Sequence, residues 1–228
     1  MSNFIFATNK LWHLKQFSMN RSNLLGHWFL VTEPEDLLKL VENINPKYIF
    51  FPHWSYIVPD DLVENFDCVC FHPSDLPQGR GGSPIQNQIL NGIKETKLTA
   101  FKMNTTLDTG PIYAKRPLSL LGSADKIFEE ISEKTIELID CIIKNDPKPV
   151  EQNGTVSSFK RRLPKQSEID PNCTIENFYD HVRMLDVDGY PRAFLQYGRF
   201  RLELSAANFS LDRSLSANIR VRNIDDEN

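Results

Sequence analysis

The chain has 228 residues, of which 40% are hydrophobic and 25% charged, and its net charge is −4. This composition is typical of a soluble globular protein, and the length suits one domain with an appendage or two small domains. The acidic balance argues against a nucleic-acid-binding surface. No apolar run reaches the roughly 18 residues that a membrane span needs, and the first residues lack a signal-peptide pattern. We therefore expect a cytoplasmic protein that binds neither nucleic acid nor membranes.

Short apolar runs alternate with helical patterns along the first third of the chain. Four of these runs predict buried strands, at residues 4–7, 27–31, 48–52 and 67–71. Helices are predicted to start at Pro34 and Pro59, because a proline in the first turn with acidic residues beside it suits the positive end of a helix dipole. Continuous apolar strands separated by helices are typical of a parallel sheet covered on both faces. The pattern predicts a Rossmann-type, doubly wound α/β fold with a mostly parallel sheet.

A loop rich in glycine and proline follows the fourth strand. Beyond it we predict a helix at 84–90, a strand at 98–103, a turn at 108–111, a short strand at 112–115 and a long isoleucine-rich helix that Ser123 caps. The composition changes near residue 147, which predicts a catalytic domain at 1–147 and a C-terminal extension at 148–228. The extension is predicted to contain a linker, a helix at 174–185, a β-hairpin at 193–204 and a strand near 219–221. The last four residues are expected to fray.

Metal and dinucleotide sites are not expected. The four cysteines form no C-x-x-C pair, and the histidines lack metal-ligand spacing. The first strand is followed by T-N-K-L-W rather than by G-x-G-x-x-G.

A histidine and an aspartate follow two predicted strands. Ligands of parallel α/β sheets bind outside the carboxyl ends of the strands. His72 follows the fourth strand and Asp108 the next one along the chain, so we expect both to reach one crevice. A carboxylate beside an imidazole forms an acid–base pair. From the residues alone, a structural histidine and an ordinary turn remain the alternative interpretation.

The segment from His72 to Lys115 resembles the folate-dependent formyltransferases. Its letters H-P-S-D-L-P, G-R-G-G-S-P-I-Q and D-T-G-P-I are similar to the histidine, proline loop, R-G-x-x-P-I segment and D-[AT]-G turn of that family, and Asp108 stands 36 residues after His72. The run I-F-F-P-H-W-S-Y-I-V-P is similar to the strand and loop that line the folate pocket of the family.

The resemblance implies transfer of a formyl group from N10-formyltetrahydrofolate to a primary amine, without a metal. It implies that His72 lies beside the oxyanion or relays a proton, and that Asp108 helps to remove the amine proton. The residues implied for cofactor binding are Phe51, Pro52, His53, Trp54, Met103 and Leu107. Those expected to contact the substrate are Ser74, Gly79, Arg80, Gly81 and Gly82.

Cys70 departs from the family pattern, which has an asparagine there as the amide donor to the formyl oxygen. A thiol is a much weaker donor, and the loss of an oxyanion donor costs about 3–4 kcal/mol. A backbone N–H, a water or another amide (Gln86, Asn87 or Asn104) is expected to replace it. The alternative is an inactive folate- or nucleotide-sugar-binding protein. Asp75, where the family has leucine, is a second departure.

The C-terminal letters F-Y-D-H-V-R-M-L-D-V-D-G-Y-P-R-A-F are similar to the linker and hairpin of the nucleotide-sugar N-formyltransferases, and F-F-P-H-W-S resembles a pseudaminic acid pathway subgroup. This resemblance implies a UDP-4-amino-4,6-dideoxy sugar as acceptor, in surface or flagellar glycan synthesis, with another small amine as the alternative. Methionyl-tRNA formyltransferases carry a larger basic C-terminal domain, and glycinamide ribonucleotide formyltransferases carry a glycine-rich phosphate loop after the first strand; we expect neither here. A homodimer through the C-terminal hairpin is a further expectation.

Overall fold

The computed structural model describes residues 1–224. Its strands, in chain order, are β1 (Asn3–Ala7), β2 (His27–Val31), β3 (Tyr48–Pro52), β4 (Cys68–His72), β5 (Arg80–Gly81), β6 (Glu95–Lys102), β7 (Ile112–Ser119), β8 (Ser158–Phe159), β9 (Ala193–Tyr197), β10 (Phe200–Phe209) and β11 (Leu215–Asn223). The α-helices are α1 (Leu11–Asn20), α2 (Pro34–Ile44), α3 (Asp60–Asn65), α4 (Pro84–Leu90), α5 (Ala124–Asn145) and α6 (Ile175–Arg183). Short 3₁₀ turns occupy Arg21–Asn23 and Pro164–Ser167.

Six strands form the main sheet, in the spatial order β2-β1-β3-β4-β6-β7. The first four run parallel, because a helix returns the chain after each of β1, β2 and β3. Strand β6 is antiparallel to β4, and β7 is antiparallel to β6. The predicted α/β fold with a mostly parallel, Rossmann-type sheet is confirmed, with the antiparallel strands gathered at one side.

Alternate side chains of the strands fill two separate cores. Phe50 and Phe71 belong to the larger core, which contains residues of α1 and α5. Phe51 and Cys68 belong to the smaller core, which contains residues of α2 and α3. Both faces of the parallel strands are therefore covered, and ligands have access only at the strand ends.

Helix α1 and strand β7 are among the elements of this domain that differ from the prediction; strand β5 was also missed, and β6 begins at Glu95 rather than at residue 98. Helix α1 was missed, because it has no side-chain cap bond, no acidic residue in its first turn and only two buried residues, His13 and Phe17. Strand β7 runs to Ser119 rather than to residue 115, although Pro117 lies within it. A proline is tolerated there because β7 is an edge strand and needs no donor on its outer side.

The C-terminal extension contains α6 and a three-stranded antiparallel sheet in the order β11-β10-β9. Thr174 caps α6 by accepting a hydrogen bond from the Asn177 N–H. The predicted hairpin turns at Gly198 as expected, but β10 continues to Phe209, and β11 has nine residues where only three were predicted. The four terminal residues that were expected to fray lie outside the described residues. The division at residue 147 stays a prediction.

Within residues 1–224, no helix combines the length and the apolar character that crossing a membrane requires.

Candidate active site

Strand β4 carries Cys70 and His72 on the same face, because side chains two residues apart on a strand point the same way. The His72 ring is buried, and its Nε2 lies 2.8 Å from the carbonyl oxygen of Gly79. A carbonyl oxygen only accepts hydrogen bonds, so Nε2 carries the proton of the neutral ring. The lone pair of Nδ1 is therefore left to face the rest of the site.

The carboxylate of Asp108 lies beside this lone pair. Its Oδ2 is 3.6 Å from His72 Nδ1, and the two side chains are only 7% and 8% exposed. The same oxygen accepts a hydrogen bond of 2.8 Å from the Gly81 N–H. Asp108 has a φ of 54°, in the left-handed region that few residues other than glycine adopt. The site thus places a buried carboxylate oxygen beside a buried imidazole nitrogen.

The structure brings His72 and Asp108 together, as the sequence predicted, but the predicted reason is wrong. Because β6 is antiparallel to β4, Lys102 at its carboxyl end pairs with Val69, near the start of β4. The carboxyl end of β6 therefore lies beside the start of β4, at the opposite end of that strand from His72. Asp108 reaches the histidine only because the loop that follows β6 returns along the face of β4.

The glycine-rich loop is a fixed wall of the site. Strand β5 pairs with β8, so that Arg80 lies opposite Ser158 and Gly81 opposite Phe159. Gly81 has a φ of +98°, and a Cβ atom on it would lie 2.3 Å from the Phe159 carbonyl oxygen. Only glycine fits both the backbone conformation and the space. Despite its three glycines, the loop is held by hydrogen bonds and strand pairing to residues 157–159.

The remaining predicted substrate-contact residues line this wall. Gly79 donates its N–H to Ser157 Oγ at 2.9 Å. Ser74 is buried, and its Oγ has no hydrogen-bond partner among the described residues. The guanidinium of Arg80 donates to Gln152 Oε1, from Nε at 3.2 Å and from Nη2 at 2.7 Å. Arg80 is therefore anchored by a neighbouring amide.

Gly82 packs directly on the basic linker, since a Cβ atom on it would lie 2.6 Å from the Cα of Arg161. This contact brings the cationic segment 160–165 to the rim of the site. Sequence reasoning placed that segment in a linker and did not connect it to the loop.

Sequence reasoning also missed three residues that complete the site, Gln152, Ser157 and Phe159. They lie beyond residue 147, far along the chain from the loop that they hold. No local motif identifies them, because each acts through a contact across more than 40 positions.

The thiol of Cys70 is neutral. Burial raises its pKa, and the negative charge of Asp108 raises the pKa further. A neutral thiol is a poor nucleophile and a weak hydrogen-bond donor. Among residues 1–224, no three His, Cys, Asp or Glu side chains are grouped so that they could hold a metal ion.

The three amides proposed to replace the family asparagine differ in availability. Asn87 Nδ2 already donates to the carbonyls of Gly82 and Lys160. Asn104 is exposed, and its Oδ1 accepts hydrogen bonds from Thr106 and Thr109. Gln86 is buried, and its side chain interacts with the Tyr190 hydroxyl, although its Nε2 makes no hydrogen bond of good geometry within the described residues. Of the three, Gln86 alone is buried.

Asp75, the second departure from the family pattern, has an electrostatic role. Its carboxylate pairs with Lys97 at 2.9 Å and with Lys115 on strand β7. Lys115 also donates to the Leu76 carbonyl. The aspartate thus ties the proline loop to the antiparallel side of the sheet, which a leucine could not do.

The predicted cofactor-binding residues fall into two groups. Phe51 and Trp54 meet edge to face at 5.9 Å, and Met103 packs against the same small core. Pro52 is buried beside them, and Leu107 is 71% exposed next to Asp108. His53 lies elsewhere, with its ring 5.5 Å from Trp12 and from Phe128 and its Nε2 3.3 Å from the Tyr190 hydroxyl. Whether these residues hold a cofactor stays a prediction.

The carboxyl ends of β1 and β3, where the winding direction of the sheet reverses, carry a polar cluster. Burial lowers the pKa of His53 to about 4, and the positive charges of Lys10 and Arg161 add to this effect. Burial and then His53 lower the pKa of His13, whose Nδ1 has no partner within residues 1–224. The cluster therefore combines neutral imidazoles with two cations, at the position where doubly wound sheets bind ligands.

The fold and the site together define a Rossmann-type α/β protein with a buried His–Asp pair at the carboxyl edge of its parallel strands. Residues 30–138 match the family model described as formyl transferase, and residues 164–222 match the C-terminal domain of methionyl-tRNA formyltransferase. A solved structure of methionyl-tRNA formyltransferase from Clostridium thermocellum is 43% identical, with a TM-score of 0.94 over 98% of this chain and 100% of that one. The chain belongs to the formyltransferase family, which confirms the resemblance seen in the sequence.

Two further relatives define how far the similarity extends. Methionyl-tRNA formyltransferase of Ehrlichia ruminantium (strain Gardel) is 29% identical over 84% of this chain, and the chain spans 65% of the length of that relative. A sugar N-formyltransferase from Shewanella sp. FDAARGOS_354 is 15% identical, with a TM-score of 0.63 over 96% of both chains. That likeness shows the fold alone. The finer resemblance to sugar N-formyltransferases thus remains a prediction.

Proposed function

We propose that the chain is an N-formyltransferase that moves the formyl group of N10-formyltetrahydrofolate to a primary amine. The observation that carries the proposal is the buried pair of Asp108 Oδ2 and His72 Nδ1, 3.6 Å apart, with the imidazole proton committed to Gly79. Two acceptors that face each other repel. A nitrogen with two N–H bonds, about 2.8–3.0 Å from each, satisfies both.

The reaction follows from this arrangement. The lone pair of the neutral amine attacks the formyl carbon, and the carbonyl electrons move to oxygen as an oxyanion. The nitrogen becomes cationic and gives a proton to His72 Nδ1, while Asp108 stabilises the imidazolium that forms. When the oxyanion collapses, the bond from carbon to N10 breaks, and N10 leaves with the electron pair and takes the proton from His72. Such positioned acid–base help is worth about 10²–10⁴ in rate.

The donor is proposed to lie against the apolar side of the site. Phe51 belongs to the smaller core, Trp54 and Met103 pack against it, and Leu107 is exposed next to Asp108. These side chains supply flat apolar surface for a bicyclic ring of the pterin type. His53, which the sequence assigned to the donor, lies on the other side and is better placed to face the acceptor.

The acceptor is proposed to carry phosphate. Strands about 4.8 Å apart place the end of β1 roughly 10 Å from the end of β4, so an anionic group at the Lys10 and Arg161 cluster lies within one nucleotide's length of His72. Helix α1 also begins there, and its first N–H groups favour anions. Methionyl-tRNA and a nucleotide-linked amino sugar both have a primary amine and a phosphate.

Methionyl-tRNA is the acceptor named for the relatives, and one feature of the extension suits it. One face of the C-terminal sheet carries Arg201 opposite Arg222 and Glu203 opposite Arg220. Arg201 and Arg222 both pair with Glu203, and the three guanidiniums still leave an excess of positive charge on this face, which suits a phosphate backbone. The nucleotide-linked amino sugar, the sequence-based expectation, is favoured by the net charge of −4. The expectation that the chain binds no nucleic acid depends on this choice.

The test supplies the purified chain with N10-formyltetrahydrofolate and, separately, methionyl-tRNA and UDP- and TDP-linked 4-amino sugars, and identifies formylated products by mass spectrometry. We expect turnover of one acceptor class and a loss of at least about a hundredfold in His72→Ala. If the acceptor is tRNA, Arg222→Glu raises its KM and the affinity falls steeply with salt. Retained folate binding without turnover of any amine would overturn the proposal in favour of an inactive binding protein.

A further inference from the structure

The side chain of Gln152 lies between the aspartate turn and the glycine-rich loop. Its Nε2 donates to the carbonyl oxygens of Asp108 at 2.9 Å and of Gly110 at 2.8 Å. Its Oε1 accepts two hydrogen bonds from the guanidinium of Arg80. The amide therefore uses both of its donors and both lone pairs of its acceptor, all within the protein.

We propose that Gln152 is a positioning residue for Asp108, which holds the carboxylate at its observed place beside His72. This inference rests on the proposed function, and it adds to the site a residue from the segment after α5.

The reason lies in how Asp108 is held. Its backbone is in the left-handed region, which is uncommon for residues other than glycine, although Asp adopts it more readily than most. Its carbonyl is held by Gln152, and its carboxylate by the Gly81 N–H. Gly81 follows Arg80, which Gln152 also holds. One amide thus fixes the turn that carries the carboxylate and the strand that receives it.

The arrangement also explains how Arg80 is used. Two of its three guanidinium nitrogens donate to Gln152, so the main role of the arginine is to hold the glycine-rich loop in place. Gly110 gives the turn its close approach, since a Cβ atom there would lie 1.7 Å from the Lys102 carbonyl. The turn is therefore tightly packed on one side and depends on Gln152 on the other.

The first experiment compares Gln152→Leu and Gln152→Glu with the wild type in the full chain. The glutamate keeps an acceptor for Arg80 but lacks the two N–H donors. We expect both variants to lower kcat about a hundredfold, because a misplacement of about 1 Å costs that much, and to leave the KM for N10-formyltetrahydrofolate unchanged. Wild-type kcat in Gln152→Glu would overturn the proposal, since only the contact with Arg80 would then matter.

A double-mutant cycle separates positioning from general stability. If Gln152 acts through Asp108, then Gln152→Leu costs almost nothing further in an Asp108→Asn background. The same hundredfold loss in both backgrounds would refute the proposal.

A readout without turnover keeps the two proposals distinguishable. Hydrogen exchange of the Gly81 amide reports its bond to the Asp108 carboxylate directly. We expect faster exchange in Gln152→Leu and Gln152→Glu, and an unchanged rate in the control Asn3→Ala, which removes a part-buried amide bond to Ile44 at the opposite edge of the sheet. Unchanged Gly81 exchange in folded Gln152 variants overturns the inference even if no acceptor is ever formylated.

Discussion

Replacing Asp108 with asparagine removes one negative charge from the site and keeps the size of the side chain and an oxygen for the Gly81 N–H. The carboxylate lies 3.6 Å from His72 Nδ1, and both groups are buried. At an effective dielectric constant of about 20, unit charges at this distance attract by about 5 kcal/mol. Since a factor of ten in rate corresponds to about 1.4 kcal/mol, we expect kcat to fall about 10³-fold as the imidazolium loses its partner.

The assay measures formylated product at saturating donor, with urea unfolding in parallel. Asp67→Asn is the matched control, because Asp67 directly precedes strand β4, which carries His72, and also pairs with a cation, Lys102. We expect the control to retain wild-type kcat. An Asp108→Asn protein that folds normally and keeps more than about a tenth of the wild-type kcat would refute the electrostatic reasoning.

Three further predictions concern other positions. Cys70→Asn supplies an amide donor and should raise kcat by about tenfold or more; an unchanged kcat in the folded variant would mean that another group already fills this role. Burial opposes ionisation of Asp75, but Lys115 and Lys97 outweigh it and hold the pKa of that carboxyl below its ordinary value. The resulting stability is present above about pH 4 and is lost as the pH falls through the lowered pKa. Asp75→Asn should therefore be less stable than wild type at pH 7, by at most about 1 kcal/mol, and equally stable near pH 2. A difference in stability that persists in urea melts at pH 2 would contradict this. The pKa of His53 is about 4 in the folded chain, so the wild type should lose stability between about pH 6.5 and pH 4 as the unfolded chain takes up the proton. His53→Gln should remove at most about 3 kcal/mol of that loss, and thermal unfolding curves that fall equally steeply in both proteins would contradict it.

The parallel half of the sheet was predictable because its signals are local. Each of the first four strands is a continuous apolar run, and α2 and α3 begin beside prolines followed by acids. Burial on both faces imposes that pattern, so composition alone reveals it. Helix α1 escaped because it has no side-chain cap bond, no acidic residue in its first turn and only two buried residues.

The position of Asp108 could not be predicted from local sequence patterns alone. The sequence predicted its proximity to His72 on the assumption that the preceding strand is parallel to β4, whereas β6 is antiparallel to it. The actual path depends on a left-handed residue and on Gln152, which contacts the turn across 44 positions. Contacts of that range have no period and no motif in one sequence. The chemistry of a site is therefore easier to recognise from a sequence than the scaffold that holds it.

Cys70 becomes consistent with catalysis once the charges around it are considered. A thiolate beside a formyl donor would itself attack the formyl carbon and compete with the amine, because the thiolate is the nucleophilic form of cysteine. Burial prevents this by keeping the proton on sulfur, and the charge of Asp108 reinforces the effect. The carboxylate that we propose to stabilise the imidazolium of His72 therefore also helps to keep the neighbouring thiol protonated. What the thiol does not supply is a strong donor to the oxyanion, a role that a backbone N–H, a water or another amide would have to fill.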